Sequence, residues 1–355
     1  MVSLFGDVIG HGRVIELLEE QAASPAQAYL FVGPAGVGKA TVARRFAAAV
    51  LCPGEEPDCA RRVVAGIHPD LTIVEPDGRS ALTVDQARSA AARAVLAPTE
   101  AARKVFLFEE AGLMNDEAAN ALLKSLEEPT ATTVFVLIAE SEHDLPSTVA
   151  SRSRTVVFGR VPDEEIAGAL TERGIPADDA QSAVAASGGR PGLAVMLATR
   201  PDVAEFRRAW LEVPGRLSEH PGDAFRLADE LVAAADPLLA ALADRQAGER
   251  EADGGDPALA KQIADRHERE RRRALAALHA TGLEILASWY RDAAAAPFGA
   301  PVRNREVPGT ALAAVTPAKA VARAERVLAT IESLQAHQRA ELAFAALFSD
   351  LASPH

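Results

Sequence analysis

The glycine-rich segment 33–40 constrains the fold of this chain more than any other feature; it reads Gly-Pro-Ala-Gly-Val-Gly-Lys-Ala. An apolar run at 29–32 precedes it, and a helical pattern at 41–50 follows it. Strand, glycine turn and helix in that order are typical of a phosphate-binding loop, where backbone N–H groups and a helix N-terminus hold phosphate oxygens. The residues expected to bind nucleotide are Gly33, Pro34, Gly36, Val37, Gly38, Lys39, Ala40 and Thr41.

One position of this loop departs from the usual pattern. Lys39 is expected to reach the β- and γ-phosphates, but Ala40 stands where a serine or threonine hydroxyl normally binds Mg²⁺. Thr41 is one residue late, which turns its side chain by about 100° around the helix. The sequence therefore predicts a degenerate ATP site with weak or absent hydrolysis, and it leaves the role of Mg²⁺ open. The alternative is a glycine turn that matches the pattern by chance.

Two acidic residues, Glu109 and Glu110, follow the apolar run at 105–108. Acids at the end of a parallel strand beside a phosphate loop hold Mg²⁺ and orient the attacking water. Glu109 stands where aspartate is usual, so its carboxylate is displaced by one methylene. Glu110 is therefore a candidate catalytic residue, and an acidic turn at the edge of the sheet is the alternative.

Residues 1–160 alternate short apolar runs with amphipathic stretches. The apolar runs lie at 29–32, 72–74, 105–108, 134–139 and 155–158, and the helical stretches at about 13–23, 39–50, 85–96 and 116–127. This alternation predicts an α/β domain with a mostly parallel sheet and helices on both faces. The strand signal fades from residue 161, which predicts a small helical domain ending near Arg200 and an all-α remainder.

The charge balance limits the partners of the chain. Its net charge is −13, and both halves carry more acidic than basic residues. An autonomous nucleic-acid-binding protein usually has a basic face, so we expect any contact with DNA to be local or made through partners. No apolar run approaches the length of a membrane span, and the first residues do not resemble a signal peptide. We therefore expect a cytoplasmic protein without membrane contacts.

The chain has two cysteines, Cys52 and Cys59. A structural disulfide is not expected in a cytosolic protein, and two thiolates alone do not make a four-cysteine zinc site. A mixed zinc site with His68 and either Asp58 or Asp70 is the alternative to two ordinary thiols. We expect no bound zinc.

The arginine-rich stretch 266–273 has two interpretations. It is either a local DNA contact or a solvated helix face with its own ion pairs. The four-residue spacing of Glu268 and Arg272 favours the solvated face.

A specific resemblance rests on the run 115–129, which reads Asn-Asp-Glu-Ala-Ala-Asn-Ala-Leu-Leu-Lys-Ser-Leu-Glu-Glu-Pro. Together with Val8-Ile9-Gly10 and the segment 65–70, this run resembles bacterial clamp-loader subunits of the AAA+ class. The nearest resemblance is to the delta-prime subunits of DNA polymerase III, in their actinobacterial form. It is dense over about 5–160, is thinner to 190, and returns at 265–273 and 289–292.

The resemblance implies three domains: an AAA+ nucleotide-binding domain at 1–160, a helical lid at 161–203 and a helical collar at 204–355. It implies a five-subunit ring with delta and gamma/tau subunits as partners. Such a ring opens the sliding clamp and places it on primer–template DNA, so the clamp and DNA are reached through the complex.

The resemblance also implies roles for single residues. Ser151-Arg152-Ser153 is similar to the Ser-Arg-Cys motif of the family, so Arg152 would act in trans as an arginine finger in a neighbouring ATP site. Arg190 would be the sensor arginine of the lid. Glu140 replaces the usual sensor threonine. The four-cysteine zinc site of many relatives is missing, since other residues fill that region, namely Gly54, Pro57 and Ala60.

Two other functions stay open at this point. The chain could be a catalytically active gamma/tau-type ATPase, which Lys39 and Glu110 favour and the altered metal positions oppose. It could also be a DNA-binding protein without sequence preference, acting through Arg271–Arg273.

Overall fold

The chain divides into two compact units. A computed structural model describes residues 4–54, 57–74, 76, 82–128, 130–251, 257–335 and 339–353. The first unit comprises Met1–Gly174 and Ser187–Ala194, and the second comprises Ile175–Ala186 and Val195–His355.

A five-stranded parallel sheet forms the centre of the first unit. Its strands are β1 (Ala28–Val32), β2 (Leu71–Val74), β3 (Lys104–Phe108), β4 (Thr133–Ala139) and β5 (Arg154–Val157). They lie in the order β2-β3-β4-β1-β5, with β1 hydrogen-bonded to both β4 and β5. The predicted parallel α/β fold and its five strands are confirmed.

Both faces of this sheet are covered, which explains why its strands are continuous apolar runs. Along β1, Tyr29 and Phe31 pack into one hydrophobic core, while Leu30 and Val32 pack into the other. The helices of the first unit are α1 (Gly12–Ala22), α2 (Lys39–Leu51), α3 (Pro57–Val64), α4 (Val84–Ala94), α5 (Asp116–Glu127), α6 (Ser147–Ala150) and α7 (Asp163–Glu172).

Helix α5 carries the run on which the resemblance rests. Asn115 caps it, its side-chain oxygen accepting from the Ala118 N–H at 2.8 Å. Leu122 and Leu126 are buried on its inner face, and Leu123 is partly buried. The predicted helix at 116–127 is confirmed, while Pro129 lies outside the described residues.

Helices are the regular secondary structure of the second unit among its described residues. Its core is built around large buried rings, including Trp210, Tyr290, Phe344 and Phe348. Its helices, together with α9, which crosses between the units, are α8 (Ala177–Ser187), α9 (Pro191–Thr199), α10 (Pro201–Leu211), α11 (Val213–Arg216), α12 (Pro221–Ala233), α13 (Asp236–Glu251), α14 (Pro257–Ala295), α15 (Gly309–Ala313), α16 (Pro317–Gln335) and α17 (Ala340–Ala352).

The predicted lid at 161–203 is shared between the two units. The three-domain scheme with boundaries at 160 and 203 therefore stays a prediction. Among the described residues, no helix is both long and apolar enough to cross a membrane.

Candidate functional site

The glycine-rich loop connects the end of β1 to the start of α2. Gly33, Gly36 and Gly38 have φ values of 148°, 77° and 107°, which side-chain-bearing residues rarely adopt. A Cβ on Gly33 would lie 2.1 Å from the backbone oxygen of Phe158. The sequence therefore needs glycine here both for backbone conformation and for close packing of the loop against the end of β5.

The ammonium group of Lys39 lies inside the loop. It donates to the carbonyl oxygens of Gly33 at 2.5 Å and Pro34 at 2.8 Å, and the side chain is almost fully buried. Burial lowers the pKa of Lys39, while the negative charges of Glu140 and Asp144 oppose this shift. The predicted phosphate-binding lysine is thus in the loop, where phosphate oxygens would have to replace two carbonyl partners.

The start of α2 and the end of β3 enclose a pocket of about 240 Å³; it is lined by Ala40, Thr41, Arg44, Arg45, Val64 and Glu109. In this pocket Glu109 Oε1 accepts a hydrogen bond from Arg44 Nε at 2.7 Å and forms an ion pair with Arg44 Nη2 at the same distance. Sequence reasoning missed Arg44. The available signal was its position four residues after Ala40, which puts both on one face of α2.

The structure separates the two acids that end β3. Glu109 is turned into the pocket, whereas Glu110 is exposed and precedes a short 3-10 helix at Ala111–Leu113. Glu110 is not among the residues that line the pocket. Its catalytic role stays a prediction.

A further pair of carboxylates follows β4, the neighbour of β1. Asp144 Oδ2 accepts from the backbone N–H groups of Glu140 at 3.1 Å and Ser141 at 2.7 Å. This turn fixes Glu140 directly after the strand, where the resemblance implies a neutral sensor side chain. Negative charge therefore faces Lys39 from this side of the loop.

Two basic side chains contact the loop from other segments. Arg190 packs over Gly36, because a Cβ on that glycine would lie 2.9 Å from the arginine Cδ. Its Nε donates to the Ser187 carbonyl at 3.0 Å. His11, which the sequence did not indicate, donates from Nε2 to the Val37 carbonyl at 2.8 Å. The predicted residue Arg190 is thus brought to the loop.

Arg152 lies two residues after α6, on the surface of the first unit. Its guanidinium forms an ion pair with Glu127 at 2.6 Å, and Nη1 donates to the Thr148 carbonyl at 2.9 Å. About a third of the side chain remains exposed, at 37%. The arginine is therefore paired within its own chain and still accessible from outside.

The expectation of two unpaired thiols is wrong, because Cys52 and Cys59 are joined by a disulfide. The end of α2 and the start of α3 bring their Cα atoms to 6.0 Å, a separation that a disulfide can span. The mixed zinc site is not formed either. Its thiols are in the disulfide, and the Asp70 carboxylate accepts three backbone N–H groups from the segment 99–101.

No cluster of three or more histidine, cysteine, aspartate or glutamate residues that could hold a metal ion occurs in the part of the chain that the structure describes. In α14, Arg272 pairs with Glu268 at 2.6 Å, as a solvated helix face requires. The side chains of Arg266, Arg269 and Arg273 lie outside the described residues.

The sheet order, the phosphate loop after β1 and the acidic end of β3 define a P-loop domain of the AAA+ class. A family model described as DNA polymerase III, delta subunit, matches residues 10–162. The delta' subunit of DNA polymerase III from Bacillus subtilis is 33% identical over 223 residues, which are 60% of this chain and 67% of that protein. The chain belongs to the family of DNA polymerase III delta' subunits, which are clamp-loader subunits.

Other relatives match about half of this chain. The delta' subunit from Pseudomonas aeruginosa is 38% identical over 182 residues, covering 48% of this chain and 55% of that protein. The tau subunit from Bacillus subtilis is 33% identical over 177 residues, covering 47% of this chain and 31% of that protein. The chain thus spans about half of the Pseudomonas relative and a third of the tau subunit.

Proposed function

We propose that the chain serves as the delta' subunit of a cytoplasmic DNA polymerase III clamp loader and supplies Arg152 to the ATP site of a neighbouring subunit. Its partners would be the delta and gamma/tau subunits. The sliding clamp and primer–template DNA would be reached through the complex. In this role the chain hydrolyses little or no ATP itself.

The observation that carries the proposal is the exposed guanidinium of Arg152. It lies at a short surface helix, and its remaining contacts are one carboxylate and one carbonyl that a docking subunit can replace. A guanidinium inserted beside the γ-phosphate stabilises the charge that develops during phosphoryl transfer. The ion pair with Glu127 is partly exposed on both sides, so exchanging it for a phosphate costs little.

The altered metal positions support the lack of turnover. Ala40 has no hydroxyl, and the carboxylate of Glu109 is engaged by Arg44. Phosphoryl transfer by P-loop ATPases depends on a cation that bridges the β- and γ-phosphates. A site without ligands for that cation loses most of its catalytic power.

Reconstitution with the delta and gamma/tau subunits tests the proposal. Arg152→Ala should lower the ATPase rate of the assembled complex by at least the share of the one site that it serves, since fingers of this kind contribute about 10³–10⁵ to a single site. Arg154→Ala is the matched control, because Arg154 is an exposed arginine of β5 only two residues away. Equal rates for both variants in an intact complex would refute the proposal.

A gamma/tau-type ATPase is the second candidate. The match to the tau subunit and the retained Lys39 favour it. The discriminating measurement is the ATPase rate of the isolated chain. A robust rate that disappears in Lys39→Ala would establish this second function, whereas the delta' role predicts a rate near background.

A further inference from the structure

The family class implies a Mg²⁺ ion beside the phosphate loop, and the residues present do not fit it. Mg²⁺ requires near-octahedral oxygen ligands, usually a loop hydroxyl, an acid and phosphate oxygens. Ala40 contributes a methyl group in place of the hydroxyl. Glu109 is the acid that lines the pocket, and its Oε1 is already engaged by Arg44 through a hydrogen bond from Nε and an ion pair with Nη2.

The Arg44–Glu109 ion pair lies where the protein's share of the cation shell would be. Both side chains line the same pocket as Ala40 and Thr41. They are largely shielded from solvent, with exposed fractions of 28% and 18%. A charge-assisted pair of this kind, with two nitrogens on one oxygen, is stronger than a neutral hydrogen bond. The guanidinium therefore neutralises Glu109 without any metal.

The phosphate-binding half of the site is retained. Gly33, Gly36 and Gly38 keep the left-handed backbone conformations of the loop, and Lys39 lies within it. Arg190 packs over Gly36 and adds a second cation at the loop. These groups neutralise phosphate charge directly, without the help of a divalent ion.

The side of the loop next to the end of β4 is acidic. Glu140 and Asp144 follow β4 and act on the charge of Lys39. A third phosphate would add negative charge to a loop on which these carboxylates already act, and no bound cation would offset the repulsion. A ligand with two phosphates avoids this cost.

We propose that the loop binds a nucleoside diphosphate without a divalent cation, with the Arg44–Glu109 pair taking the place of the metal. This goes beyond the delta' function, which needs no nucleotide at this site. The delta' function could therefore hold while this inference fails, and the reverse.

Calorimetric titration of the full chain with ADP, first in excess EDTA and then in excess Mg²⁺, tests the inference. The two dissociation constants should agree within about threefold, and Lys39→Ala should weaken binding by about tenfold or more. ATP in EDTA should bind more weakly than ADP. Absence of ADP binding in EDTA, or tightening by Mg²⁺ of about tenfold, would overturn the proposal.

A pair of double variants tests the role assigned to Arg44. Ala40→Thr with Arg44→Ala restores a hydroxyl and releases Glu109, so Mg²⁺ should now tighten ADP binding by about fivefold or more. Ala40→Thr with Arg45→Ala is the matched control, because Arg45 lines the same pocket but pairs with Asp7. An identical response to Mg²⁺ in both would show that Arg44 does not replace the metal. Circular dichroism checks that both double variants fold. If either does not fold, the comparison of ADP binding by the wild-type chain in EDTA and in Mg²⁺ still tests the proposal.

Discussion

At the scale of single residues, the phosphate loop depends on Gly33 more than on its other glycines. Gly33→Ala would combine a φ of 148° with a Cβ 2.1 Å from the Phe158 carbonyl oxygen, so backbone must move. We expect a loss of about 3 kcal/mol or more in the free energy of unfolding, measured by urea titration.

Gly38→Ala is the control for this prediction. Its φ of 107° is also unfavourable, but a Cβ there would meet open space. Its cost should therefore be smaller, about 1–2 kcal/mol. Equal losses for the two variants would contradict the close approach of the loop to the end of β5.

His279 gives the second unit a pH dependence. The ring is buried beside Phe344, and its Nε2 lacks a hydrogen-bond partner among the described groups. Burial lowers its pKa below the ordinary value of 6.5, although Glu341 and Asp236 oppose the shift. The unfolded chain then binds the proton more readily, so stability is full above pH 6.5 and declines as the pH falls toward the folded-state pKa.

The measurement is urea unfolding of wild type and His279→Leu at several pH values between about 5 and 8. On acidification, the free energy of unfolding should fall less in His279→Leu than in wild type. His68, also buried with a lowered pKa, gives the first unit a decline of the same sign, so the difference between the two proteins isolates His279. If the free energy of unfolding changes with pH by the same amount in both proteins, His279 is not a buried neutral ring.

Sequence patterns can indicate which residues lie at a candidate site, but not what those residues contact. Lys39, Ala40 and Glu109 were identified because the spacing of a phosphate loop and an acidic strand end is recognisable in one dimension. The Arg44–Glu109 pair was missed, since it joins a helix to a strand 65 residues away. Such a pairing depends on the packing of α2 against β3, which no local pattern contains.

At the scale of elements, the strands were predicted to within one residue. Continuous apolar runs such as 134–139 are required when a parallel sheet is covered on both faces, so the pattern and the structure share one cause. The disulfide was not predicted, because the proximity of Cys52 and Cys59 depends on the turn between α2 and α3. The expectation of free thiols came from cellular compartment rather than from geometry.

The disulfide leads to a prediction at this scale. It closes a short loop between Cys52 and Cys59, which lie seven residues apart, and joins α2 to α3. Reduction should lower the free energy of unfolding by about 2–3 kcal/mol, as expected for a loop of this size. Urea unfolding in oxidising and reducing buffers measures this loss, and thiol titration of the native protein checks the bond itself. Two reactive thiols in the oxidised protein would contradict the bond.

Asp292 holds the segment after α14 in the second unit through hydrogen bonds. Its buried Oδ2 accepts from the backbone N–H of Arg303 at 3.0 Å, and from the N–H and side-chain amide of Asn304, each at 2.8 Å. Asp292→Ala leaves these buried donors without an acceptor and should cost about 3 kcal/mol or more.

Arg305→Ala is the control for Asp292, because Arg305 is an exposed arginine just after the anchored residues and donates to Gln181 rather than to Asp292. Its loss should cost about 1 kcal/mol or less. Thermal unfolding compares the two, and hydrogen exchange at Asn304 reports whether the segment has detached. Similar midpoints for both variants would show that Asp292 does not anchor it.

At the scale of the whole molecule, the net charge and the altered phosphate loop both favour a subunit that acts within a complex. A net charge of −13 is unsuited to independent DNA binding, and the described part of the arginine-rich helix pairs Arg272 with Glu268. The chain keeps a phosphate loop, but Ala40 offers no hydroxyl to a cation and Glu109 is paired with Arg44, while Arg152 remains partly exposed. We therefore propose that the chain contributes to catalysis at a neighbouring subunit's site rather than at its own.

Comparing Lys39→Ala with Arg152→Ala in the reconstituted clamp loader tests that claim most directly. Clamp- and DNA-stimulated ATP hydrolysis should equal that of wild type in Lys39→Ala and fall by at least the share of one ATP site in Arg152→Ala. The reverse pattern, with Lys39→Ala abolishing hydrolysis and Arg152→Ala leaving it intact, would show that the chain is itself a motor.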